Sequence, residues 1–236
     1  MTGRKLRLIA YSLAVFTVIA GITAYLTTAD QTTNVFKAAK LQVRVAEPHW
    51  KDGPTIVPEQ IVDKDPYIVN TDETPAFVFM KVTVPVQKVT VEYATGDDEK
   101  GLYLTREPVP LFRFIDSEGR YTPGQTSTEQ AFNTGWHFME MTRNTDDSGA
   151  VTSLNYLYAW TNKAEPSKEL AVLAPGAWTD TPLFDQVIFC NAREDEALSG
   201  SIQNIYIEVF GIQTEHLLGS EVTTNDADTV WSYFSE

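Results

Sequence analysis

Beyond residue 40, apolar and polar residues alternate with a period of two, and this constrains the fold more than any other feature of the chain. Leu41, Val43 and Val45 alternate with Gln42, Arg44 and Ala46. Val78, Met80, Val82, Val84 and Val86 fall on one side of an extended run, with Phe77, Phe79, Lys81 and Thr83 on the other. Leu154, Tyr156, Tyr158 and Trp160 make an aromatic face, and Ile205, Ile207 and Val209 oppose Tyr206, Glu208 and Phe210. Successive side chains of a strand point to opposite faces, so each run reads as a strand with one face in a core. Gly96-Asp97-Asp98-Glu99, Asp116-Ser117-Glu118-Gly119 and Asp146-Asp147-Ser148-Gly149 supply turn chemistry between the runs. Pro85 interrupts one of them, which places an edge or a bulge there. No long amphipathic helix is expected; short helical turns are predicted near Ser127–Phe132 and Ser167–Leu173. The predicted fold class is all-β: one antiparallel β-sandwich of about eight strands, jelly-roll-like, behind an N-terminal signal helix.

The signal is read from the first thirty residues. Arg4, Lys5 and Arg7 precede an uncharged run from Leu8 to Ala29, and Asp30 closes it. Small residues lie at Ala20-Gly21-Ile22-Thr23-Ala24, so cleavage is expected between Ala24 and Tyr25. The alternative is an uncleaved anchor, since the run would extend about 33 Å as a helix, enough to span a bilayer. Ser12 and Thr17 break its apolar part, and its end is small and Thr-rich, which favours cleavage. Either way the basic residues stay inside and the remainder is exported. The predicted localisation is secreted or cell-surface, with membrane contact only through the signal before cleavage and a signal peptidase as partner. The C-terminal Trp231-Ser232-Tyr233-Phe234-Ser235-Glu236 carries no sorting motif or apolar tail, so covalent attachment there is not expected.

Charge narrows the partners. The formal net charge is −14, and loss of three basic residues with the signal makes it −17. Such a surface repels nucleic acid and anionic membranes. The single cysteine, Cys190, lies in the apolar run Gln186-Val187-Ile188-Phe189-Cys190 and reads as a small buried hydrophobe with no disulfide partner.

The residue patterns point to no catalytic site, cofactor or metal. His49, His137 and His216 lack zinc-ligand spacing. His137 and Glu140 are three apart on a predicted strand and are therefore expected on opposite faces. Asn144-Thr145-Asp146-Asp147-Ser148-Gly149 resembles the start of a calcium loop, but its twelfth position is Asn155 rather than a bidentate Glu, so a hairpin turn is expected. Trp50, Trp136, Trp160, Trp178 and Trp231 could line a sugar-binding face, though core packing is the better reading.

Several segments of the chain form a set: Gly21-Ile22-Thr23-Ala24-Tyr25-Leu26-Thr27 with Asp30; Asn34-Val35-Phe36-Lys37-Ala38-Ala39-Lys40-Leu41-Gln42-Val43 with Glu47-Pro48; Lys64 to Asn70 and Pro75 to Val82; and Leu173-Ala174-Pro175-Gly176, Thr181 to Val187 and Val209 to Gln213. Taken together, in this order and behind this signal, they resemble the camelysin/TasA family of proteins exported through a SipW-type signal peptidase. The resemblance covers the signal, the first strands and the last third, and leaves residues 88–130 as an expected loop insertion. It implies a jelly roll whose freed N-terminal segment adds a strand to a neighbouring subunit. The corresponding segment here runs from Thr27 to Phe36, through Thr28 and Asp30, with Val35 and Phe36 as apolar anchors. The expected layout is thus a signal at 1–24, an extended segment at 25–36 and a sandwich at 37–236. The expected function is a non-catalytic structural protein of the surface or biofilm matrix, with itself or related matrix subunits as partners. The alternatives are a secreted monomeric binding module for glycan or protein, and a secreted hydrolase of camelysin type, which the histidine spacing does not support.

Overall fold

The computed structural model describes residues 42–51, 57–93, 103–121, 130–192, 204–214 and 224–235. Lys40–Glu236 is one compact unit. Its described elements are β1 (Val43–Ala46), β2 (Ile61–Asp63), β3 (Tyr67–Asn70), β4 (Ala76–Tyr93), β5 (Tyr103–Pro110), β6 (Phe112–Ile115), β7 (Trp136–Thr145), β8 (Val151–Trp160), β9 (Gln186–Phe189), β10 (Tyr206–Gln213) and the helix α1 (Ala227–Ser235). Every ladder between them is antiparallel. The protein is all-β, as the alternation predicts, although the described strands number ten rather than about eight.

The large sheet has the order β10-β4-β8-β7, with β5 paired to the far half of β4. A second sheet has the order β2-β9-β6, and β1 pairs with β3. One face of the large sheet and the inner residues of the small sheet share a single core. Val78, Met80, Val82, Val84, Tyr156, Tyr158 and Trp160 come from the first; Phe112, Phe114, Val187 and Phe189 come from the second. Phe114 stacks on Phe184 at 4.2 Å between centroids and meets Tyr156 edge-on at 5.8 Å. The edge-on contact suits the ring quadrupoles, and both contacts add to the area buried.

The other face of the large sheet carries a third layer. Phe77, Phe79, Leu157 and Ala159 pack against Ala227 and Val230 of α1, with Trp231 at the border. Trp231 lies 5.1 Å from Phe79 and 5.3 Å from Phe210. Asp226 caps the helix by accepting from the Thr229 amide and hydroxyl, at 2.9 and 2.6 Å. Those bonds hold the Asp226 carboxyl below its ordinary range. The helical turn expected at Ser167–Leu173 is absent. That segment is extended because its amides have partners elsewhere: Leu170 N–H on Asn225 O, and Leu173 N–H on Ala76 O.

Pro85 sits where the neighbour of β4 changes. β10 pairs with β4 as far as Thr83, and β5 begins at Val86. The Pro85 carbonyl accepts from the Leu111 amide at 2.9 Å on that side. The missing N–H therefore falls at a handover, where no ladder bond is lost. Residues 88–130, expected as a loop insertion, are strand over much of their described length: the far half of β4, all of β5 and all of β6. Val89, Val91 and Val109 of this stretch are fully buried.

Candidate functional site

Sheet edges are the sites at which this fold can take another chain, because an edge strand has its main-chain donors and acceptors paired on one side only. The described edges differ sharply. β2 and β6 are three and four residues long. β5 carries Pro108 and Pro110, which lack amides. β7 shows two register shifts, between Phe138 and Glu140 and between Asn144 and Thr145. Bulges of this kind interrupt a ladder and discourage pairing.

β10 has none of these guards. Its eight residues pair with β4 in unbroken register, from Tyr206 opposite Thr83 to Gln213 opposite Ala76. Its inward residues Ile207 and Val209, with Ile205 just before the strand, are only partly buried against the core. Their counterparts on β4, Met80 and Val82, are fully buried. β1 lies beside β10 without joining its ladder, and contributes the half-buried Val43. The seam between β10 and β1 is thus a row of half-buried aliphatic side chains.

The exit of β1 is tied down by charge. Lys64 Nζ donates to Glu47 Oε1 at 2.7 Å and sits 4.2 Å over the Trp50 ring. The buried Asp65 receives the His49 amide at 3.1 Å and faces His49 Nδ1 at 2.7 Å. Burial, then the charges of Asp65 and Asp185, raise the Tyr67 hydroxyl above its ordinary range.

The residues singled out from the sequence fall as follows. Ala24, Tyr25, Thr27, Thr28, Asp30, Val35 and Phe36 lie outside the described residues, as do the signal helix and His216. Cys190 is buried, and burial pushes its thiol up to about 12. Trp136 and Trp160 are core residues, whereas Trp178 is 44% exposed, with Arg44 5.8 Å from its ring. Asp146 closes the β7–β8 hairpin: its carboxylate accepts from the Ser148 amide and hydroxyl and the Ala150 amide, and Gly149 follows at φ +82°. Those bonds keep the Asp146 carboxyl below its ordinary range.

A further expectation is overturned. His137 and Glu140 lie on the same face of the sheet, not opposite faces. The shift at Met139 puts His137 opposite Ala159 and Glu140 opposite Leu157, and those two β8 residues share the outer face. An inserted residue reverses the parity that simple alternation assumes. His137 turns to Glu165, Nδ1 to Oε1 at 2.8 Å, and the same carboxylate oxygen accepts the Phe138 amide at 3.2 Å. Among the described residues no three His, Cys, Asp or Glu side chains are grouped to hold a metal ion. No helix among them is long and apolar enough to cross a membrane.

Comparison of the chain with family models, curated proteins and solved structures finds no match.

Proposed function

We propose that this chain is an exported, non-catalytic structural protein of the cell surface or matrix. In this reading a SipW-type signal peptidase cleaves after Ala24, and copies join head to tail as in the camelysin/TasA family. Thr27–Phe36 of one copy adds as a strand to β10 of the next, extending the jelly roll that the family resemblance implies. The observation that carries the proposal is the β10 edge: eight residues in unbroken register beside half-buried aliphatics. An added strand pairs with main-chain groups on the side of β10 away from β4 and covers Ile207 and Val209 in one step, so backbone pairing supplies affinity and side-chain alternation supplies register. The contact is between unlike surfaces and does not close on itself, so it propagates as a filament. Before cleavage the donor is held at the membrane, which confines assembly to the outside of the cell.

The test uses the protein beginning at Tyr25 and two complementary defects. A form beginning at Lys37 lacks the donor. Val209→Lys places a charge on the acceptor seam, a guard that natural edges use. Light scattering and negative-stain microscopy at mildly acidic pH, where self-repulsion falls, should show filaments for the parent. Each defective form should remain monomeric, and their mixture should give one-to-one pairs that do not grow. Filaments from the Lys37 form, or no pairing in the mixture, rejects strand donation to β10.

A further inference from the structure

α1 covers only part of the outer face of the large sheet, and the open remainder has an unusual composition. Two transverse rows cross the strands there. Tyr206, Thr83, Asn155 and Thr142 are cross-strand neighbours in register on β10, β4, β8 and β7. Beside them run Pro85, Ser153 and Asn144. No charged side chain occurs in either row, in a chain of net charge −14. Charge returns in the next row, where Lys81 pairs with Glu208 at 2.5 Å.

The patch is preorganised. Thr83 Oγ1 donates to Asn155 Oδ1 at 2.8 Å. Asn155 Nδ2 donates to Thr142 Oγ1 and Asn144 Oδ1, at 3.3 and 3.1 Å. Asn144 Nδ2 returns bonds to Asn155 Oδ1 and Ser153 Oγ, at 3.2 and 2.8 Å. Both amide groups are thereby fixed in orientation. The Ser153 and Thr142 hydroxyl hydrogens and a lone pair on Asn144 Oδ1 are not used in this network. At one end Tyr206 stands 62% exposed, a rigid apolar ring with a polar tip.

We infer that this open face binds a neutral, hydroxyl-rich glycan, with the sugar ring over Tyr206 and its hydroxyls on the Asn/Thr/Ser rows. Two arguments select that occupant. A surface that will be desolvated excludes charge, and a patch of hydroxyls and amides matches an uncharged polyol. The charge-free rows suit a small ligand: one of four strands and one of three, with strands about 4.8 Å and rows about 7 Å apart, span less than about 100 Å² of sheet plane. A standard protein interface needs about 800 Å² from each partner. The fixed amides lose little freedom on binding, which favours a ligand with weak individual contacts.

The test is native electrophoresis of the purified protein through gels containing hydroxyethylcellulose, mannan, arabinoxylan or dextran, with anionic alginate as control. Retardation is expected in at least one neutral gel and not in alginate. It should be lost in Tyr206→Ala and in Thr142→Glu, and kept in Tyr233→Ala, an exposed tyrosine of α1. Both key positions are exposed, so thermal melts should match the parent. Unchanged mobility in every neutral gel overturns the inference, as does retardation that survives Tyr206→Ala. If instead Tyr206→Ala alters only sedimentation of the protein alone, the face is a contact between copies and the glycan assignment is wrong. The form beginning at Lys37 should bind glycan as the parent does, which separates this result from strand donation.

Discussion

Removing the side chain of Asn70 should be among the most costly polar substitutions in this domain. Asn70 is fully buried at the end of β3. Its Nδ2 donates to Thr74 O at 2.8 Å and Leu173 O at 3.0 Å, and its Oδ1 accepts the Asp72 amide at 3.0 Å. Its backbone is equally engaged, with N–H on Ala177 O and C=O receiving Gly176 N–H. One residue thus fastens β3, the turn into β4 and the 173–177 segment. Asn70→Ala deletes three side-chain bonds, each contributing about 1 kcal/mol net. The orphaned partners reduce or add to that sum. Leu173 O keeps a bond from Ala76 N–H, and Thr74 is half-exposed, so water can reach its carbonyl. The expected loss is therefore about 2–4 kcal/mol. For a domain of this size that lowers the Tm by about 5–15 °C. Urea titration and thermal melts followed by circular dichroism read it directly. Asn70→Asp should cost more at neutral pH, because it turns a carboxylate toward two carbonyl oxygens. Its folded-state pKa is then raised, so its stability should recover as the pH falls through that value and the group becomes a donor. An Asn70→Ala protein within about 1 kcal/mol of the parent would falsify the role given to this side chain.

Asp116 supplies a pH prediction of opposite sign. Burial tends to raise its carboxyl, but the Arg120 guanidinium at 2.7 Å and the amides of Arg120 and Glu118 outweigh that and hold it below its ordinary range. Its contribution is present above the unfolded carboxylate pKa and is lost as the pH falls through the lower folded one, so the gap between parent and Asp116→Asn should narrow in acid melts. Cys190 should resist an aromatic disulfide reagent at pH 8 in the native protein and react on denaturation, since burial pushes its thiol to about 12; rapid native labelling contradicts that. Chelator should leave the Tm unchanged, and a marked drop would point to a calcium site at the Asp146 turn or elsewhere. Gly135→Ala should destabilise the domain by about 1–3 kcal/mol, because φ is +101° there and the Gly135 carbonyl takes the Thr161 and Asn162 amides; a neutral result in a melt rejects the strain.

The fold class was legible because alternation is a local property. Each of Val78, Met80, Val82 and Val84 reports its own face, and no partner strand is needed to see it. The turn at Asp146–Gly149 was equally local, since one Asp and one Gly encode it. The C-terminal helix had a weak signal in Asp226 ahead of Val230 and Trp231. Its stability comes from Phe79 and Phe210, on strands distant in the chain, which local propensity does not register.

What the sequence by itself determined is the all-β class, the core-facing side of the alternating runs, and the absence of an internal disulfide. These depend on period, composition and count. What only the tertiary structure decided is which strand is left at an edge, and which face remains open. β10 and β8 both read as alternating strands, yet among the described residues β8 is enclosed by β4 and β7 while β10 has a ladder on one side only. The bulge at Met139 that joins His137 and Glu140 on one face is likewise set by pairing with β8. Edge, bulge and open face are relations between segments far apart in the chain, so they arise only when the whole sandwich closes.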